Sequence, residues 1–217
     1  MSYFPMFIEL KNRRCLVVGG GRIALHKVKV LEDFGAAVTV AAPEILPEIR
    51  ERADVICREK KFDLADLDGQ ELVVAATNDA KLNSRISEAC RRAGIPVNAV
   101  DQMQDCDFIF PAYLKEGEVV AAFSSGGQSP ALTQYLKEQM RPVMTPLLGE
   151  LAARLGEIRE LVRRRTRSES ERKRIYQELL RETLERESVF SGEEAEETIQ
   201  KITGGNEDDG QTEKIES

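Results

Sequence analysis

The stretch from Leu16 to Leu31, "LVVGGGRIALHKVKVL", constrains the fold more than any other part of the chain. An apolar, β-branched run stops at three consecutive glycines, and a helical pattern begins at once. Gly19, Gly21 and Ala24 have the spacing G-x-G-x-x-A, in the strand–turn–helix setting that a dinucleotide loop needs. Gly19 permits the tight turn. Gly21 lets a pyrophosphate approach the backbone, and Ala24 is small where helix meets strand. The helix start then offers free N–H groups and partial positive charge to phosphate. The competing reading is a glycine turn that binds nothing. Strand, spacing and helix together favour the dinucleotide.

The first half of the chain repeats this alternation. Runs at Cys15–Val18, Val38–Ala41, Leu72–Ala76 and Val97–Val100 are apolar throughout, as strands covered on both faces are, and Val55–Arg58 is a weaker fifth. Helical patterns lie near Ile23–Phe34, Ile45–Arg52 and Ala80–Ala93. The expected fold class is α/β, with a Rossmann-like parallel sheet over residues 1–113. "CDFIFPAYLKEGEVVAAFSS" then predicts two antiparallel strands turning at Lys115–Glu118. Ser129-Pro130 starts a helix toward Arg141. Residues 114–145 therefore form a small α+β segment, expected to serve dimerisation. Residues 146–190 form a helical domain, with Leu151, Leu155, Ile158 and Val162 on one face and Ile175, Leu179 and Leu180 on the next. The run "RRRTRSESERK" between them has no apolar residue and predicts an exposed joint.

Charge and cysteine content exclude several function classes. The net charge of −7 arises in residues 191–217, "SGEEAEETIQKITGGNEDDGQTEKIES", which carry nine acidic residues and two lysines. The remaining residues balance at 29 charges of each sign, which gives no basic signal for nucleic acid. The acidic segment predicts a disordered tail. Cys15, Cys57, Cys90 and Cys106 form no CxxC pair, and His26 is the one histidine. Reduced, buried thiols and no protein metal site are expected. No run of about 18 apolar residues exists to span a membrane, and no secretory signal opens the chain, so the expected location is cytoplasmic.

Candidate site residues cluster after the strands, where open α/β sheets bind ligands. The carboxylate that usually holds ribose hydroxyls after the second strand is missing from "VTVAAPEI"; Glu44 arrives slightly late, and either its carboxylate or backbone groups at Pro43 and Glu44 can take that place. Thr77 and Asn78 in "VVAATND" can contact a nucleotide or cap the next helix. Asp101 emerges from the strand Val97–Val100 and can act as general base, with Asp105 and Asp107 as rivals. In "SSGGQSP", Ser125, Gly126 and Gly127 precede a helix start that suits an anion. Arg163, Arg164, Arg165 and Arg167 read as a solvated face.

The segments "PMFIELKNRRCLVVGGGRIALHKVKVL", "VVAATND", "VNAVD", "DFIFPA" and "SSGGQSPAL", in this order, resemble the precorrin-2 dehydrogenase/sirohydrochlorin ferrochelatase family. The same family forms the N-terminal half of siroheme synthase. The resemblance runs from about Phe4 to the helix after Pro130, and more loosely beyond. It implies oxidation of precorrin-2 to sirohydrochlorin with NAD as cofactor, and insertion of ferrous iron, a substrate rather than a bound cofactor, to give siroheme. It implies Asp101 as acid/base for both steps, cofactor contacts at Arg22, Ile23, Pro43 and Glu44, and Ser125 near the substrate. A homodimer and a small-molecule tetrapyrrole partner are expected, and no methyltransferase half is matched. Two alternatives stay open at the level of sequence. One is a dehydrogenase whose product is metallated by another protein. The other is an NAD-binding regulatory module, which leaves "SSGGQSP" and Asp101 without a role.

Overall fold

The computed structural model describes residues 3–204. Five runs form one sheet: β1 (Arg14–Val18), β2 (Ala37–Ala42), β3 (Val55–Glu59), β4 (Leu72–Ala75) and β5 (Val97–Ala99). Their order is β3-β2-β1-β4-β5, and every neighbouring pair is parallel. Alternate residues of β1 enter different layers, as the period of a strand requires. Cys15 and Val17 join Ala24, Val28 and Leu31 of α1 (Arg22–Asp33) on one face. Leu16 and Val18 join Ile86, Ala89 and Cys90 of α3 (Ala80–Ala93) on the other. Cover on both faces is why these strands are apolar at every position. The helix predicted at Ile45–Arg52 shrinks to a single turn, α2 (Pro47–Arg50), because Pro47 takes its first position and Ile45 is drawn into the core.

The chain moves outward from β1 to β2 and β3, then returns to lay β4 against the other side of β1. The order therefore reverses between β1 and β4, and the crevice at their carboxyl ends is the topological switch point.

Two compact units divide at Phe110 and Pro111, slightly before the boundary expected at residue 113. The second unit begins with a hairpin of β6 (Ala112–Glu116) and β7 (Val119–Phe123), turning through Gly117 and Glu118. Next comes α4 (Pro130–Met140), whose Ser129 cap accepts the Leu132 N–H at 3.2 Å. Then follow α5 (Pro146–Glu157), α6 (Arg159–Arg165), α7 (Glu169–Arg186) and α8 (Gly192–Gly204). The helical core holds Leu151, Ile158, Val162, Ile175, Leu179 and Phe190, with Leu155 partly buried. Leu180, expected on the inner face, is exposed instead.

Two further expectations need correction here. The joint between α6 and α7 is not wholly exposed: Glu171 is buried and closes a capping box with Ser168. The acidic segment is not a structureless tail as far as Gly204. Its Ala195, Ile199 and Ile202 are spaced at i, i+4 and i+7 and pack into the helical core beside Phe190. Ser191 and Glu194 bond each other's backbone N–H groups, closing a second capping box at the start of α8. The acidic first turn also suits the positive end of that helix. Fully burying a side chain the size of Ile199 or Ile202 contributes roughly 1.5–3 kcal/mol before entropy. The rest of the expected tail, 205–217, lies outside the described residues. Among the described residues, no helix is long and apolar enough to cross a membrane.

Candidate active site

Three loops meet at the switch point. Gly19 turns with φ +127°, and a Cβ there would lie 2.3 Å from the Ala76 carbonyl oxygen at the end of β4. A Cβ on Gly20 would stand 2.0 Å from the Glu44 carbonyl oxygen in the loop after β2. The first two glycines are thus demanded by the protein's own backbone. Gly21 is different: nothing lies within 4 Å of an added Cβ. It precedes α1 with no side-chain cap and no acidic residue in the first turn. The first helical bond runs from the Leu25 N–H to the Gly21 carbonyl at 2.9 Å, so the N–H groups of Arg22, Ile23 and Ala24 lie before the ladder begins. Open space beside an uncapped helix start fits a dinucleotide pyrophosphate. The side chain of Ala24 is fully buried, so its amide is what it can offer.

Pro43 and Glu44 are exposed and lie beside this loop, where the Leu46 N–H also bonds the Gly20 carbonyl at 2.9 Å. Thr77 is more committed. Its hydroxyl bonds Asn83 Oδ1 at 2.6 Å, and its carbonyl accepts from Asn83 Nδ2 at 3.1 Å. The cap of α3 is Asp79, which accepts from Lys81 and Leu82. Thr77 therefore ties β4 to α3, while Asn78 beside it is exposed.

The segment after β5 separates the three aspartates. Asp105 accepts from Ser84 Oγ at 2.6 Å and from Gln102 Nε2 at 3.2 Å. Asp107 accepts from Arg91 Nε at 3.1 Å and from the Val97 N–H at 3.2 Å. Both carboxylates hold the loop to α3 and β5. Asp101 is exposed and has no hydrogen bond or ion pair among the described residues. Its φ of 60° lies in the left-handed region, where short polar residues are tolerated and most others are not. Such a conformation persists only where surroundings enforce it. Here Cys106 does so. Its sulfur accepts the Ala99 N–H at 3.3 Å and approaches the Ala99 carbonyl at 3.1 Å, closing the loop over residues 99–106. Burial pushes the Cys106 thiol up, so it stays an S–H donor at neutral pH.

The carboxyl edge thus gathers Gly19, Gly21, Arg22, Ile23, Pro43, Glu44, Asn78 and Asp101 on one rim of the first unit. The remaining candidates belong to the second unit. Ser125 Oγ accepts the Ser129 N–H at 2.9 Å and donates to the Ser129 carbonyl at 3.1 Å. Gly126 and Gly127 have φ of 64° and 82°. This is a closed turn ahead of α4. Sequence reasoning missed Gly20, whose need for a bare Cα arises from a loop more than twenty residues away, and Lys27, which stands over Phe110.

Comparison with known proteins gives this geometry a context. Residues 6–112 match the family model NAD_binding_7, described as "Putative NAD(P)-binding". A siroheme synthase of Nitrosospira multiformis is 39% identical over 201 residues, covering 89% of this chain and 42% of that protein. One from Methylococcus capsulatus is 41% identical over 166 residues, covering 75% and 35%. The chain thus spans less than half the length of these curated relatives. The solved structure of SirC, a precorrin-2 dehydrogenase, aligns with a TM-score of 0.76 at 29% identity, covering 93% of this chain and 100% of that one. The five-stranded parallel sheet joined to a hairpin and a helical core is the fold shared with SirC. The chain belongs to the precorrin-2 dehydrogenase/sirohydrochlorin ferrochelatase family.

Proposed function

We propose that this chain oxidises precorrin-2 to sirohydrochlorin with NAD, and that it then inserts ferrous iron into sirohydrochlorin to give siroheme. One observation carries the reading: of the three aspartates after β5, Asp101 alone has a carboxylate uncommitted to the loop, on the rim that holds the open helix start. When bound, the nicotinamide accepts a hydride. The amides of Arg22, Ile23 and Ala24, with the bare Gly21, hold the pyrophosphate. Backbone groups of Pro43 and Glu44 border the adenosine ribose. Asp101 takes the proton that leaves the tetrapyrrole as the hydride departs. In the second reaction two pyrrole N–H protons leave as the iron enters; Asp101 takes one and solvent takes the other. Ser125, Gly126 and Gly127 are assigned to substrate binding, and Thr77 and Asn78 to the cofactor side.

Anaerobic incubation of the chain with precorrin-2 and NAD, followed by absorbance, tests the first reaction. Appearance of the sirohydrochlorin spectrum with stoichiometric NADH supports it, and its absence refutes it. Sirohydrochlorin with ferrous iron and no NAD tests the second. A rate no greater than the uncatalysed one rejects metal insertion.

A homodimer belongs to the same proposal. α4 has no buried residue, and its Leu132, Tyr135, Leu136 and Met140 are all more than a third exposed. The hairpin beside it has only two strands and leaves both edges open. A second copy of the chain covers this face. Light scattering that gives a monomer mass at micromolar concentration refutes it.

A further inference from the structure

A half-buried ammonium stands at the same edge outside every ion pair described above. Lys27 lies on α1, one turn beyond Ile23 and on the same helical face. Its Nζ is 3.9 Å from the centroid of the Phe110 ring. That ring packs at 5.4 Å against Phe108, on the chain leaving the Asp101 loop. Burial pushes the Lys27 ammonium down from its ordinary value, and the nearby Cys106 and Asp101 oppose that push. Phe108 and Phe110 tie the lysine to the chain that leaves the Asp101 loop. Yet among the described residues no carboxylate closes an ion pair with Lys27.

A partly desolvated cation without an anion is unfavourable. The ring face compensates on one side only and leaves ammonium N–H donors unused. A helix rises 1.5 Å per residue, so Lys27 sits about 7.5 Å along the axis from Arg22. Its backbone is thus past the amides that suit a pyrophosphate, and its ammonium is held over the Phe110 ring. Phe110 follows the loop after β5, at the far edge of the sheet from β2, whose end carries Pro43 and Glu44.

We propose that Lys27 binds a carboxylate of the tetrapyrrole substrate and so holds the reacting ring toward Asp101. This rests on the reading of the substrate given above, a macrocycle bearing many carboxylates. The cation takes the substrate's anion, and Asp101 stays free for the proton. Phe110 fixes the lysine stem so that the ammonium is held in place before substrate arrives.

The test uses the full chain, titrated anaerobically with sirohydrochlorin in the absence of NAD. Wild type is compared with Lys27→Gln and Lys27→Arg, and NADH affinity and melting temperature are measured for each. Loss of a charge-assisted hydrogen bond predicts about 10–100-fold weaker sirohydrochlorin binding by Lys27→Gln. Lys27→Arg stays near wild type, and NADH affinity is unchanged in both. In turnover, Lys27→Gln raises KM for precorrin-2 more than it lowers kcat. Wild-type sirohydrochlorin affinity in Lys27→Gln overturns the proposal. So does a matching loss of NADH affinity, which assigns the lysine to the nucleotide. A wild-type chain that binds no sirohydrochlorin overturns the substrate reading itself, and the role of Lys27 with it.

Discussion

Adjacent glycines in the loop after β1 should respond in opposite ways to the same methyl group. In Gly20→Ala the new Cβ meets the Glu44 carbonyl oxygen at 2.0 Å and Ile45 Cα at 2.8 Å. Both are backbone atoms, so no side-chain rotation relieves the clash. Reaching even the tight end of normal contact, 3.0 Å, requires about 1 Å of movement between two loops pinned by the Leu46 N–H to Gly20 carbonyl bond. Overpacking of this kind costs about 1–3 kcal/mol, which for a unit of this size is about 5–20 °C in melting temperature. In Gly21→Ala the methyl meets nothing within 4 Å, and φ of −89° is ordinary for alanine. Stability should change by no more than about 1 kcal/mol, the scale of an N-cap preference. The methyl instead fills the space assigned to pyrophosphate. Losing one charge-assisted contact there weakens NADH binding about 10–100-fold. Scanning calorimetry and NADH fluorescence titration of both variants decide the matter. A Gly20→Ala protein as stable as wild type refutes the steric argument. A stable Gly21→Ala protein with wild-type NADH affinity refutes the assignment of the loop to the cofactor.

Asp101→Asn should lower precorrin-2 oxidation by about 10²–10⁴-fold, with NADH affinity and melting temperature kept, since Asn tolerates φ of 60°; turnover within tenfold of wild type excludes Asp101 as base. Ile199→Ala should destabilise the helical unit by about 2–5 kcal/mol, read by denaturant titration, and a neutral result would detach α8 from that core. Glu194 is held down to about 2, from an ordinary 4.5, first by its bond to Arg186 and then by the Ser191 N–H. Its contribution is complete above pH 4.5 and is lost as pH falls from there toward 2, so acid titration of helix content should be shallower over that window in Glu194→Gln.

Composition alone made the sheet legible. Strands covered on both faces must be apolar at every position, and the runs around Cys15, Val38, Leu72 and Val97 have no other economical reading. The glycine loop was legible for the same reason, because its spacing answers to local geometry. Gly20 was not, because its neighbour Glu44 is distant in sequence. Among Asp101, Asp105 and Asp107, residue chemistry left rivals and only the resemblance pointed to Asp101; which carboxylates Ser84, Arg91 and the Val97 N–H occupy is not written in the sequence. Nearby charge obscured α8. The dense acid suggested a solvated tail, although Ser191 and Glu194 stand at capping-box spacing ahead of an apolar stripe. Lys27 was hidden because its significance lies in Phe110, more than eighty residues along the chain.

The left-handed backbone at Asp101 imposes a restriction that chemistry alone does not. Glutamate carries the same acid but lacks the short reach by which aspartate and asparagine settle into that conformation. With Asp101 in the role proposed above, the main chain and the reaction filter this position independently, and aspartate satisfies both. Drift at this one position leads most easily to asparagine or glycine, which keep the loop and discard the acid. On that proposal, a descendant altered in that way would keep its fold while losing its chemistry, and stability alone would not tell it from its parent.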